Sequence, residues 1–343
     1  MSARNTSKLV PHSSLLCLSG VFAAALLSIS MLLAAGCRQS NSTREAAAAS
    51  QTGFSQLRPE DFDPKPNTPP ALPISGERAY KTLKDFVALG PRYPGSPGHA
   101  KAEQFILGHL QGPQIEQDKF TAQTPAGPFA MNNILAKFPG KKDGIIVIAG
   151  HYDTNYPLRN SSYIGANDGG SGVGLMLEIA GQLRSHPPEG YSIWLLFTDG
   201  EEAVNSWTGS DSVYGSRHLA QRWKADGAAA KIKAFLLLDM VGDKELNIER
   251  DTNSAPWLLD VIGRAAQRLG KQQHFFGRVN DVRDDHIPFA QAGIPVADII
   301  DLEYGFQNIY HHTTEDTPDK CSAQSLQIVG DVTMETVRAL DTR

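Results

Sequence analysis

Apolar residues return every three to four positions across Glu77–Leu89, His99–Leu110, Gly172–Arg184, Ala255–Leu269 and Ala323–Leu340, the spacing of amphipathic helices. Between them lie short apolar runs at Ile134–Phe138, Ile145–Ala149, Ile193–Thr198, Phe235–Asp239 and Val296–Asp301, with the length of buried strands. Alternation of the two predicts an α/β domain with a doubly wound, mostly parallel central sheet flanked by helices. Polar residues then fall in a regular place. His151 and Asp153 follow one strand, Glu201 and Glu202 another, and Asp239 ends a third. In open sheets of this kind, ligands bind beyond the C-terminal ends of the strands.

The pattern changes before residue 74. Arg4 and Lys8 precede the apolar run Leu15–Ala35, and Ala34-Ala35-Gly36 leads into Cys37, the layout of a secretory signal over residues 1–37. The ending Leu33-Ala34-Ala35-Gly36-Cys37 resembles a bacterial lipobox, with Ala34 where leucine is usual, which implies lipid on Cys37. An uncleaved anchor or a plain signal are the alternatives. All three export the chain, to the periplasm, a membrane surface or the medium. Residues 38–73 are Ser-, Ala- and Gln-rich and then proline-punctuated, and predict an extended tether. Residues 74–343 read as one catalytic domain long enough to bury a large core. After Cys37 only Cys321 remains, so the mature domain has no internal disulfide. A formal charge of −5 and 41% hydrophobic residues give no basic face for nucleic acid. Membrane contact is expected only through the N-terminal anchor or lipid, and the chain is expected to be a monomer.

The richest tract is Phe197-Thr198-Asp199-Gly200-Glu201-Glu202-Ala203, directly after an apolar strand. Adjacent glutamates point different ways, so one can hold a metal while the other stays free as a base. Alone, such a pair is more often a solvated helix start. Gly165-Ala166-Asn167-Asp168-Gly169-Gly170-Ser171-Gly172 is a glycine-rich turn opening a helix, but its aspartate suits a cation better than a phosphate. His151-Tyr152-Asp153 offers an imidazole with a carboxylate on the same side of an extended chain. Asp239 in Leu237-Leu238-Asp239-Met240 and His312 in His311-His312-Thr313-Thr314-Glu315-Asp316-Thr317 complete the set. Mixed imidazole and carboxylate donors suit catalytic zinc.

This ordered set resembles the M28 family of zinc aminopeptidases and their relatives over residues 75–343. Two tracts look like the glutaminyl cyclases of that superfamily. One runs from Asp199 through Trp207 to Tyr214-Gly215-Ser216-Arg217-His218-Leu219-Ala220. The other is Asp284-Asp285-His286-Ile287-Pro288-Phe289 with Gly293-Ile294-Pro295-Val296. In many M28 aminopeptidases a serine stands where Asp284 is found here. Cyclases usually carry tryptophan before the ligand histidine, as part of the pocket wall; this chain has His311 there, after Tyr310.

The resemblance implies a zinc aminopeptidase-like fold, with one zinc per chain held by Asp168, Glu202 and His312 and Glu201 as the acid/base. Asp239 and Asp284 support Glu201, and Trp207 and His311 face the substrate. The activity implied is conversion of N-terminal glutamine of peptides or proteins to pyroglutamate with release of ammonia. The competing reading is an M28 aminopeptidase, in which His151 and Asp239 complete a second zinc site. A binding lipoprotein on the same fold is the third, and it would be expected to have lost Glu201.

Overall fold

The computed structural model describes residues 53–343. Helices α1 (Gly76–Val87) and α2 (Pro97–His109) precede a long hairpin of β1 (Gln114–Thr124) and β2 (Gly127–Phe138). Then come β3 (Lys142–His151), α3 (Gly170–Ser185), β4 (Tyr191–Thr198), α4 (Tyr214–Asp226) and β5 (Ile232–Asp239). The chain continues through β6 (Ile248–Asp251), α5 (Pro256–Arg268), β7 (Phe275–Asn280), α6 (His286–Gln291), β8 (Val296–Ile300) and α7 (Ala323–Leu340).

The main sheet has the order β1-β2-β4-β3-β5-β8. The β4–β3, β3–β5 and β5–β8 pairs are parallel, as expected, whereas β1–β2 and β2–β4 are antiparallel. Side chains of successive strand residues leave on opposite faces. On β3, Ile146 and Ile148 therefore join the large core with Leu236, Leu238, Leu195 and Phe197. Val147 and Ala149 join Phe235, Leu237, Leu196 and Trp223 on the other face. Helices α1, α3, α5 and α7 supply residues to the first core, and α4 and α6 to the second. Double burial explains why the central strands read as continuous apolar runs.

One expectation is corrected. Residues 53–73 are not an extended tether. Phe54 and Phe62 are buried in the main core, where Phe62 stacks on Trp257 at 5.5 Å between centroids. Asp63 accepts from Arg264 Nε at 3.0 Å and Arg268 Nη1 at 2.7 Å, and Arg338 Nε donates to the Pro69 carbonyl. The prolines shape this stretch, but its two aromatic residues seat it on Trp257 of α5, and Arg338 of α7 ties down Pro69. Residues 1–52, with the signal and Cys37, lie outside the described residues. Among the described residues no helix is long and apolar enough to cross a membrane.

Candidate active site

Because β3, β4 and β5 run parallel, their C-terminal ends share one edge. His151 closes β3, Asp239 closes β5, and the turn after β4 carries Glu201 and Glu202. Asp168 comes from the turn that opens α3. That turn needs glycine at 169, where φ is +74° and a Cβ would sit 2.9 Å from the Asp153 carbonyl oxygen.

The Asp168 carboxylate faces two ways. Its Oδ1 lies 3.0 Å from His151 Nε2, and its Oδ2 lies 3.3 Å from His312 Nε2. Glu202 Oε1 is 3.2 Å from the same His312 nitrogen, so two carboxylates converge on one imidazole. His151 Nε2 is also 3.2 Å from Asp239 Oδ1. Asp168, Glu201, Glu202, Trp207, Asp239, Asp284, His311 and His312 all line one cavity of about 410 Å³; His151 is not among its lining residues. Trp207 stands at the rim, 44% exposed.

A cation fits this donor set. Five buried carboxylates meet three imidazoles, one buried and two half-buried, and an excess of buried negative charge is costly unless neutralised. Burial and the neighbouring Asp168 carboxylate raise Glu202 to about 7. Burial opposes a charge on His312, but Glu202 and Asp168 outweigh it and raise the imidazole to about 11. Here Nε2 holds a proton between the two carboxylates, and a metal would take that proton's place. Hydrogen bonds from His151 and His312 overcome burial and hold Asp168 well below the usual carboxylate range.

Glu201 is different. Among the described residues its carboxylate takes no hydrogen bond, and His151 Nδ1 is 3.9 Å away. Burial, with the Asp284 and Glu202 charges against the opposing pull of His151, lifts it well above the ordinary glutamate value. Asp284 is raised too, by burial and then by Asp239 and Asp285; its Oδ2 is buried without a partner among the described residues. Asp285 is fixed by Ser216 Oγ at 2.6 Å and by the Thr198 hydroxyl.

One support was read from the sequence in another role, and the others carried no sequence signal. Asp153, read as orienting His151, lies 3.6 Å from its Nδ1 and instead accepts the backbone amides of Glu201 (3.1 Å) and Glu202 (3.3 Å). Asn155 donates to Glu202 Oε2 at 2.9 Å, which leaves Oε1 for His312. Tyr163, fully buried, donates to Asp168 Oδ2 at 2.5 Å. Asp316 accepts the amides of Asn167 (2.8 Å) and Asp168 (3.2 Å), and burial raises it to about 7. Arg92, wholly buried over the Phe86 ring, donates to the carbonyls of Tyr152, Ile164 and Gly165. His312 itself sits at φ +52°, and Gln307 and Asn308 before it are also left-handed. Such backbone costs about 1–2 kcal/mol per residue and collects at functional sites. The His311 ring packs 4.0 Å from that of His312, and burial with the His312 charge pushes its pKa down.

Comparison with known proteins agrees with this geometry. The model of peptidase family M28 matches residues 133–337. A glutaminyl-peptide cyclotransferase of Bothrops jararaca is 35% identical over 266 residues, 66% of this chain and 72% of that protein. A crystal structure of an Acidobacteriales bacterium glutaminyl cyclase is 52% identical, with a TM-score of 0.79 over 82% of this chain and 99% of that one. A Porphyromonas gingivalis glutaminyl cyclase is 30% identical, with a TM-score of 0.70 over 78% and 98% of the two chains. The chain therefore belongs to peptidase family M28 and, within it, groups with the glutaminyl-peptide cyclotransferases.

Proposed function

We propose that this chain cyclises the N-terminal glutamine of peptides or proteins to pyroglutamate and releases ammonia, using one zinc held by Asp168, Glu202 and His312. The observation that carries this reading is the pairing of that ligand trio with Glu201, whose carboxylate lines the same cavity without a hydrogen bond among the described residues. Bound there, zinc supplies a Lewis acid that polarises the γ-carbonyl of the glutamine.

The remaining work falls to side chains. The acidic cavity accepts the substrate's amino terminus. The α-nitrogen and γ-carbon belong to one residue, so closing the ring is intramolecular and gains a large effective molarity. As the C–N bond forms, Glu201 takes a proton from the α-nitrogen, and it returns that proton to the departing amide nitrogen as ammonia leaves. Its raised pKa suits this traffic, because a carboxylate of higher proton affinity is a stronger base toward the α-nitrogen. Asp239 and Asp284 keep the proton affinity of this end of the cavity high. Trp207 offers an aromatic wall at the rim.

The grouping of His151, Asp168 and Asp239 is what a two-ion aminopeptidase would use. Against it stand the cyclase-like tracts at residues 207–220 and 284–296 and the likeness to glutaminyl cyclases. The test is zinc content read beside product analysis. About one zinc per chain with pyroglutamate and ammonia from a Gln-peptide supports the cyclase. Two zinc ions with hydrolysis of aminoacyl anilides would replace it. Export, lipid attachment at Cys37 and a monomeric state are part of the same proposal and rest on the sequence alone.

A further inference from the structure

We propose that His311 is a substrate-binding hydrogen-bond donor whose tautomer is locked by Asn308; the substrate half of this proposal rests on the glutamine-cyclising reading. The backbone N–H of Tyr304 donates to Asn308 Oδ1 at 2.9 Å, which fixes the orientation of the side-chain amide. The amide nitrogen of Asn308 must then face His311 Nδ1, 3.1 Å away. An amide nitrogen only donates, so Nδ1 is the acceptor and the proton of the neutral ring sits on Nε2. The lock is firmly built. Asn308 N–H also donates to the Gly305 carbonyl at 2.9 Å, and Asn308 is left-handed, a conformation asparagine tolerates better than most residues.

Two uses of His311 compete. Its position with Asp168 and His312, with one ligand atom from each within 4.8 Å, would allow it to join a metal site. The lock argues against that. Nδ1 is committed to Asn308 and Nε2 carries a hydrogen, so neither nitrogen offers a lone pair. What is left is an N–H on a residue lining the cavity. A glutaminyl N-terminus carries two carbonyls close together. With the γ-carbonyl turned toward the metal ligands, the main-chain carbonyl of the same residue is the acceptor for His311 Nε2–H. The site thus has a polar wall that reads the substrate backbone, where an aromatic wall would read only its apolar surface.

Long-range proton–nitrogen spectra of the zinc-loaded, histidine-labelled protein, assigned with His311→Gln, should show the Nε2–H tautomer at His311, and Asn308→Ala should mix the tautomers. His311→Phe keeps a flat ring on His312 but lacks the donor, and should raise KM for a Gln-peptide about tenfold while kcat changes little. His311→Gln restores an N–H donor and should recover most of that loss. An Nδ1–H tautomer, or a His311 nitrogen shift typical of metal ligation on zinc loading, would overturn the lock. Unchanged KM in His311→Phe would overturn the substrate contact. If the wild-type protein cyclises no Gln-peptide, the proposed function fails and the substrate contact with it, while the spectra still decide the tautomer.

Discussion

Asp153 touches neither the ligand atoms nor the cavity, yet its removal should reach both. Its two carboxylate oxygens accept the amides of Glu201 at 3.1 Å and Glu202 at 3.3 Å, in a setting with no solvent exposure. Hydrogen bonds to a charged acceptor contribute about 1.5–3 kcal/mol each. Asp153→Asn keeps one carbonyl oxygen but turns an NH₂ toward the second amide, so one bond is replaced by two opposed donors. The expected cost is about 2–4 kcal/mol, borne by the turn that aims both glutamates. For a domain of this size that lowers Tm by about 3–7 °C. Displacing a ligand through its support typically weakens metal binding by about 10–100-fold. Titration with a competing chelator should show that loss of zinc affinity, and kcat on a Gln-peptide should fall by about 100-fold with the far-ultraviolet circular dichroism unchanged. A variant that kept zinc affinity and turnover within about twofold would refute the reasoning.

Other outcomes follow from the same geometry. Glu201→Gln removes the proposed acid/base group but none of the proposed ligands, so zinc content should stay at the wild-type level while kcat drops by about 10²–10⁴. Phe62→Ala deletes a fully buried ring stacked on Trp257, and should cost about 3–5 kcal/mol in urea unfolding while leaving KM for a Gln-peptide unchanged. An unaltered unfolding curve would mean that residues 53–73 do not dock. Burial alone would lower the pKa of His99, but Asp199, with Oδ1 2.7 Å from Nε2, raises it from 6.5 to about 9. A raised folded-state pKa means stabilisation fully present below about pH 6.5 and lost as pH rises through about 9. Urea unfolding across that range should lose on the order of 3 kcal/mol from this pair, and His99→Gln should flatten that part of the slope.

Much of the fold could be read from the chain because its central strands are buried on both faces. Ile145–Ala149 and Phe235–Asp239 are apolar without interruption, and the helix periods flanking them are clean. β1 could not be read in this way. Gln114–Thr124 is an edge strand whose burial is shallow and irregular, so its polar sequence carries no period. Of the short β6 and β7 pair, β7 is exposed through its middle, and β6 is buried but carries Glu249, Arg250 and Asp251, so neither shows an apolar run. Asp168, Glu201, Glu202, Asp239 and His312 were visible because each ends a strand or opens a turn inside a recognisable motif. Asn155, Tyr163 and Arg92 act through hydrogen bonds to groups whose proximity only the folded chain creates. His99 and Asp199, 100 residues apart, are the same case. The prolines between 59 and 73 dominated the reading of that segment, and Phe54 and Phe62 were the overlooked sign that it docks.

Arg92 has a consequence for anyone hoping to transplant this site. Its guanidinium reaches three carbonyls at once, those of Tyr152, Ile164 and Gly165, and so moulds the turn carrying Asp168 from a position seventy-odd residues earlier in the chain. Burial lowers its pKa to about 10, yet it stays charged at neutral pH. Lysine could not copy this, since a single ammonium has no rigid fork to span three oxygens. Grafting only the ligand residues onto another parallel sheet would therefore carry over the donors but not the shape of the loop that presents them. A designer would have to import the Pro91–Arg92 corner and the α1 surface beneath it as one unit with the metal turn.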